Sequence, residues 1–396
     1  MNYDRFLQKT IQKFKGGSEY LRMLDIHVGS NVDEKISAKI SSFGKTVLFC
    51  SGRSAMKKLK FHKKYIDLLM NNGVKVVEYS GICANPTLET IEEGIRIAKK
   101  GKVDFVFCLG GGSVIDSGKA VSAGLFGDVW DFIEKRSEII RSLPVVAVST
   151  TSGTGSHVTP YAVINNSDTC EKKTLRHKLL VPKLSLVDMN ITENVPPYII
   201  ATTGFDVLCH AVEVYTLEDS DGASSEFALK AIELVGKHLY NSFSNKSRED
   251  KEGMAYADIF AGIALALKKT HVAHAISHPI TARFPEINHG HALACVATKT
   301  LDMQFKRVEG EIKKRFHEIN FALGIDSDLP SSLKKLIQNL KLDKPVRKMS
   351  AEDLQTLYED TVGYRWSSVE RSPCPMSKED IKNIIFESFS DLKCSS

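Results

Sequence analysis

Residues 103–109, VDFVFCL, form an apolar run almost without polar interruption, and it ends at three consecutive glycines, Gly110, Gly111 and Gly112. A strand that is apolar on both faces must be covered on both faces, as in a parallel sheet flanked by helices. Three similar runs accompany it: TVLFC (46–50), VKVVEY (74–79) and PVVAVSTT (144–151). Between the first two lie the turn SGRSA and a helical pattern reaching about Leu69. Between the next two, TLETIEEGIRIAKKG starts with Thr and acids after Pro86 and stops at Gly101, as helix capping favours. This alternation predicts a doubly wound α/β domain.

After about residue 195 the pattern changes. Helical periodicities cover 222–243, 249–269, 310–324, 330–341 and 351–365, and convincing strands disappear. The junction falls in LVDMNITENVPPYI, where a short strand ends and a double proline opens a new unit. Two domains are expected, 1–194 and 195–396, packed directly with a ligand cleft at their junction. The chain has 396 residues, 42% of them hydrophobic and 26% charged, which is ordinary globular composition. Its net charge of +5 is spread along the chain and gives no argument for nucleic acid. The opening MNYDRFLQKT lacks the apolar core of a secretory signal. No uncharged apolar run approaches the roughly 18 residues of a membrane span. Eight cysteines (50, 83, 108, 170, 209, 295, 374 and 394) include no C-x-x-C pair and read as free thiols in a reducing cytoplasm.

The glycine turn follows a buried strand and precedes a helix beginning at Ser113. Such a turn aims unpaired backbone N–H groups at an anion, commonly a phosphate. It is neither of the two familiar phosphate motifs. Ile115 stands where G-x-G-x-x-G needs its last Gly, while Ser113 and Ala120 break a P-loop. A second polar turn, STTSGTGS (149–156), closes the next strand at the same expected edge of the sheet, and the two together suggest a cofactor crevice.

Of twelve histidines, five fall between 271 and 291. His274 and His278 are four apart, on one face of a helix, and Asp206 and His210 share that spacing in GFDVLCHAVEVY. Asp206, His210, His274 and one of His289 or His291 make an N₃O set for a divalent cation, Fe²⁺ or Zn²⁺, with His278 beside it. A helix turns Cys209 about 100° from His210, so it reads as packing. His271 is expected as a solvated residue at a helix start. His27, His62, His238 and His317 are expected at the surface or partly buried, without a functional role.

GGGSVIDSGK, the Asn85–Thr87 NPT, TTSGTGSHVT, GFDVLCHAVE and HAISHPI…NHGHA occur in this order, and the chain closes with SPCPMSKEDI. Together they resemble the iron-containing (group III) alcohol dehydrogenase family, related to glycerol dehydrogenase and dehydroquinate synthase, over residues 20–385. The resemblance implies an α/β N-terminal Rossmann-like domain plus an all-α C-terminal domain, the dehydroquinate synthase-like fold. It implies one metal held by Asp206, His210, His274 and His289, with His278 near the nicotinamide as a catalytic proton relay. The dinucleotide pyrophosphate would lie on Gly111, Gly112 and Ser113, with Asn85, Asp116, Thr150, Thr151 and Thr159 lining the rest of the groove. It also implies a homodimer.

This chain departs from the family's pattern in three places. Where many NAD-using relatives carry Asp, this chain has Gly52, followed by Arg53 and Ser54. Loss of the acid removes repulsion of a 2′-phosphate that Arg53 and Ser54 can bind, so NADP(H) is expected to be preferred over NAD(H). His157 replaces a usual Glu. The His278–His289 loop is one residue longer than usual and carries Thr281 for a common Gly. The expected reaction is reversible hydride transfer between NAD(P)H and a small aldehyde or primary alcohol, the metal acting as a Lewis acid. Lys172, Lys173, Arg176, His177, Lys178, Lys268 and Lys269 suggest an anionic aldehyde or a solvated basic surface. A dehydroquinate-synthase-like lyase and a polyol dehydrogenase are the alternatives on the same fold, and a metal hydrolase is the alternative outside it.

Overall fold

In the computed structural model, the apolar runs of the first half become neighbouring strands of one sheet. The structure describes residues 2–390 apart from 31, 41, 245–246, 325–327 and 345, so Cys394 lies outside the described residues. The chain divides into two compact units, residues 2–195 and the part beginning at Pro196.

The first unit contains β1 (Ile26–Gly29), β2 (Thr46–Gly52), β3 (Lys75–Ile82), β4 (Phe105–Gly110), β5 (Val145–Ser149), β6 (Tyr161–Asn166), β7 (Glu171–Arg176) and β8 (Leu184–Asp188). Six of them form a parallel sheet in the order β1-β8-β5-β4-β2-β3. The period-two alternation of a strand sends side chains to two separate cores. Val47, Phe49, Phe105 and Phe107 meet Ile36, Tyr65 and Leu69 on one face. Leu48, Cys50, Val106 and Cys108 meet Ile91, Ala98, Ile115 and Val121 on the other. The strand order reverses at β2, which pairs with both β3 and β4. The carboxyl ends of β2 and β4, where Gly52 and Gly110 stand, therefore flank the topological switch point, the favoured ligand position in such sheets.

Three local expectations change. The helical pattern after SGRSA is two helices, Ala55–Lys58 and Phe61–Asn71, because Lys60 takes a left-handed conformation at φ +64°. The basic stretch 172–178 is no plain lead into the second half. It supplies β7, which pairs antiparallel with β6 around a turn in which Asn166 Oδ1 accepts from the amides of Asp168 and Thr169. Its cations are also engaged within the unit: Lys172 with Asn85, Lys173 with Glu134 and Glu171, Lys178 with Glu19.

Among its described residues, the regular elements of the second unit are all helices. Pro197–Thr216, Gly222–Ser244, Arg248–Leu267, Val272–Arg283 and His289–Arg307 are its longer inner helices. Gly310–Leu323, Leu329–Asn339 and Ala351–Gly363 match the remaining periodicities to within two residues at each end. No single helix among the described residues is long and apolar enough to cross a membrane. Arg248–Leu267 and Val272–Arg283 pass that test only as a pair, which is bent by 103°.

Candidate metal centre and dinucleotide turn

Helix Pro197–Thr216 is buried along most of its length, so polar residues within it must find partners inside the protein. Asp206 and His210 lie on its same face, one turn apart. Gly290 brings the second contributor close: a Cβ there would lie 1.8 Å from the carbonyl oxygen of Thr202, so only glycine lets helix His289–Arg307 approach Pro197–Thr216 at that point. His289, its first residue, thereby reaches Asp206. His274 and His278 come from Val272–Arg283.

Oδ1 of Asp206 is met by three imidazole Nε2 atoms, at 3.4 Å from His274, 3.6 Å from His210 and 3.8 Å from His289. These separations exceed hydrogen bonds, and Asp206 Oδ1 and His274 Nε2 are both buried without a hydrogen-bond partner. Four ligands about 2.1 Å from a tetrahedral ion stand about 3.4 Å apart, so the donor set fits one divalent cation. The rings of His210 and His274 stack at 4.5 Å, and the described residues contain a metal-ready triad of Asp206, His210 and His274. His278 sits beside it, its ring centroid 5.4 Å from that of His289.

The electrostatics favour positive charge here. Burial opposes ionisation of Asp206, yet the imidazoles of His210, His289 and His274 hold its carboxyl well below the usual range. Burial also disfavours a charged His274, but the Glu213 carboxylate and then Asp206 push it up to about 9. A field that holds a proton on that ring equally favours a cation in its place. Glu213 accepts from His274 Nδ1 and from the amide of Ala273, and its other neighbour is His271 Nδ1 at 3.1 Å. Glu213 carries no assigned role in the sequence reading, although it follows His210 by three positions and Asp206 by seven on the same helix face. That spacing was the signal available.

His271 is not solvated. It is fully buried, held between Glu213 and the hydroxyl of Thr216. His238 is also fully buried, paired with Asp250 at 2.8 Å. His289 and His291 differ in their partners: His291 turns to the Tyr198 hydroxyl (3.2 Å) and the Lys344 carbonyl (2.7 Å), which occupy both its ring nitrogens.

In the first unit, Gly111 caps helix Gly112–Gly124, and with no side chain it leaves the orphan N–H groups of the first turn for another acceptor. Thr150 donates its amide to the Gly110 carbonyl, joining the two polar turns. The glycines also serve packing. A Cβ on Gly112 would lie 2.4 Å from Thr154 Oγ1, and one on Gly111 2.9 Å from Thr151 Oγ1. Ser113 opens the helix half-buried. Asp116 faces inward, accepting from the Ser156 hydroxyl and the Val163 amide. Thr159 is buried, and Asn85, at φ +54°, accepts from Lys172. At the end of β2 a register shift falls between Ser51 and Gly52, and Arg53 and Ser54 beyond it are exposed.

Residues 25–189 match the family described as iron-containing alcohol dehydrogenase, and 200–389 match the C-terminal region of the same family. An NADPH-dependent butanol dehydrogenase of Clostridium saccharobutylicum is 29% identical over 80% of this chain and 81% of its own. An NADH-dependent butanol dehydrogenase of Clostridium acetobutylicum is 29% identical over 70% and 73% respectively. Among solved structures, the archaeal halo-thermophilic Red Sea brine pool alcohol dehydrogenase ADH/D1, bound to NZQ, is 34% identical and superposes with a TM-score of 0.88 over 92% of this chain and 96% of that one. These comparisons give the lyase alternative no support.

Proposed function

Since the chain belongs to the iron-containing alcohol dehydrogenase family, and is a metal-dependent oxidoreductase interconverting alcohols and aldehydes with NAD(P)H, we propose that Asp206, His210, His274 and His289 hold its metal. The observation that carries this is the single carboxylate oxygen of Asp206 ringed by three imidazole nitrogens. When bound, the cation supplies Lewis acidity toward the substrate oxygen and the nicotinamide supplies or takes up the hydride.

The protein's own groups do the rest. Glu213 orients His274 and raises its basicity, as a carboxylate behind a ligating histidine does. His278, buried next to His289, moves the proton that leaves or joins the substrate oxygen. Gly111, Gly112 and Ser113 present the amides for a pyrophosphate. Asn85, Asp116, Thr150, Thr151 and Thr159 shape the surrounding groove, Asp116 from within. Gly52, Arg53 and Ser54 favour NADP(H), because no carboxylate opposes a 2′-phosphate and a guanidinium stands free to solvent beside it.

The same reading includes a cytoplasmic homodimer acting on a small aldehyde or primary alcohol, without nucleic acid or membrane as partner. The seven described cysteines are all free, in keeping with a reducing compartment. Lys173, Lys178 and Lys268 pair with carboxylates within their own unit, whereas Lys172 donates to the neutral amide of Asn85, a contact that carries no compensating charge. The test is absorbance at 340 nm with iron-loaded protein over a panel of neutral and anionic aldehydes. Oxidation of NADPH that chelation abolishes and iron restores is expected. Turnover indifferent to metal removal would overturn the assignment.

A further inference from the structure

Arg365 stands between helices Ala351–Gly363 and Trp366–Val369. Both helices pack against Val272–Arg283, which carries His274 and His278. Two other arginines fasten them there. Arg283 binds the Asp360 carboxylate through Nε and, at 2.9 Å, through Nη2. Arg371 donates to the Thr270 carbonyl at 3.0 and 2.8 Å, and Ser372 beside it accepts from Gln304 at 3.0 Å. Arg365 has no such task. Its Nε is enclosed without a hydrogen-bond partner, and its guanidinium makes no ion pair among the described residues. The residue as a whole is only partly buried, so a solute can reach it.

A guanidinium offers five donors and stays protonated at neutral pH, so an enclosed one without a partner burdens the folded chain. Burial brings Arg365 down to about 10, opposed by Tyr364 and Glu213 and reinforced by the charge of Arg371. Glu213 is thus near enough to act on it, and Glu213 is the carboxylate that stands behind His274. Yet Glu213 is already engaged by His274, His271 and the amide of Ala273. The positive charge of Arg365 therefore lies in the neighbourhood of the histidine cluster with nothing bonded to it. A ligand that brings an oxyanion supplies what the fold withholds.

We propose that Arg365 is a specificity-determining residue of the substrate site, and that it receives the oxyanion at the far end of a short aldehyde carrying a carboxylate or a phosphonate. This rests on the metal centre proposed above for the reacting end of the same molecule. Two oxygens of either anion match the guanidinium fork with parallel hydrogen bonds. A neutral substrate leaves that fork desolvated and unpaired, and is selected against for that reason. A lysine there would keep the charge and lose the fork. An arginine kept for stability alone would hold partners of the kind that Arg283 and Arg371 hold, and its loss would affect every substrate alike.

The experiment compares kcat/KM for 4-oxobutanoate, phosphonoacetaldehyde and butanal in full-length, iron-loaded wild type, Arg365→Met and Arg365→Lys. Wild type should prefer one of the two anionic aldehydes to butanal by about tenfold or more, and the one preferred tells carboxylate from phosphonate. In Arg365→Met the ratio of anionic to neutral kcat/KM should fall about 10- to 100-fold, with Arg365→Lys between the two. Binding is also read without turnover: succinate or phosphonoacetate should raise the Tm of wild type more than that of Arg365→Met. An unchanged ratio in folded Arg365→Met overturns the proposal. A wild type that prefers butanal to both anionic aldehydes overturns it whether or not the variants fold. Turnover of every aldehyde that survives chelation would instead sink the metal centre, a result distinct from neutral preference in a metal-dependent enzyme.

Discussion

His274 gives its Nδ1–H to the carboxylate of Glu213 and holds Nε2 3.4 Å from Asp206 Oδ1, so one ring is aimed from behind and faces Asp206 in front. Replacing Glu213 by Gln keeps the shape and removes the charge. Metal affinity is expected to fall about 10- to 100-fold, measured by competition with a chromogenic chelator. Unchanged affinity would reduce Glu213 to a packing residue.

Two neighbouring histidines should separate cleanly. His289→Ala removes one of three imidazoles around Asp206 and should lower iron content at a fixed metal concentration. His291→Ala breaks contacts to Tyr198 and Lys344 and should leave iron content near wild type. Elemental analysis of the two purified variants checks this, and the reverse pattern would reassign the fourth ligand.

Much of the frame could be read from the chain because its physics is local. VDFVFCL is apolar on both faces and had to be a central strand. Thr87 caps the helix after Pro86 through the Thr90 amide, as the sequence suggested. What escaped depends on distant partners. Glu213 and His271 become meaningful only when helix Val272–Arg283 lies against Pro197–Thr216. Arg365 is an ordinary cation closing a helical pattern until Trp366–Val369 packs against Val272–Arg283. The β6–β7 pair was hidden because EKKTLR has the composition of a solvated basic run, and its partner strand supplies the burial. The partners that set His291 apart from His289, Tyr198 and Lys344, come from two other segments.

Gly112→Ala places a methyl group 2.4 Å from Thr154 Oγ1. Overpacking of this kind costs about 1–3 kcal/mol. Thermal denaturation should register the loss, and NADPH affinity should fall with it, because relieving the clash moves the second turn. A variant as stable and as tight-binding as wild type would mean that the two turns are not packed as described.

Cofactor choice is testable at the end of β2. Gly52→Asp places a carboxylate where the proposed groove would hold the adenosine ribose and should shift the ratio of kcat/KM for NADPH over NADH toward NADH by about tenfold or more. Steady-state kinetics with both cofactors reads this directly. A wild type that already prefers NADH would contradict the role given to Gly52, Arg53 and Ser54.

Acid sensitivity should be traceable to Asp380. Its carboxylate receives two hydrogen bonds from Arg307, at 2.6 and 2.7 Å, and caps helix Lys378–Ser390 with the Ser377 amide at 2.8 Å. Arg307, the largest influence, holds the carboxyl well below its usual range. A depressed carboxyl stabilises the fold above the ordinary aspartate pKa of about 4, and that contribution fades as pH falls below it. Arg307 is 40% exposed, so solvent screening keeps the pair's worth to roughly 1 kcal/mol. Asp380→Asn should be less stable than wild type in urea at neutral pH, and the gap should narrow toward pH 3. A constant gap would remove Asp380 from the acid response.

The proposed chemistry needs one ion at Asp206, His210, His274 and His289. Anomalous diffraction at the iron edge from reconstituted crystals locates it without reference to activity. A single peak about 2.0–2.2 Å from those four side chains is the predicted result. A peak on other residues, or four occupied side chains directed away from any ion, would contradict it.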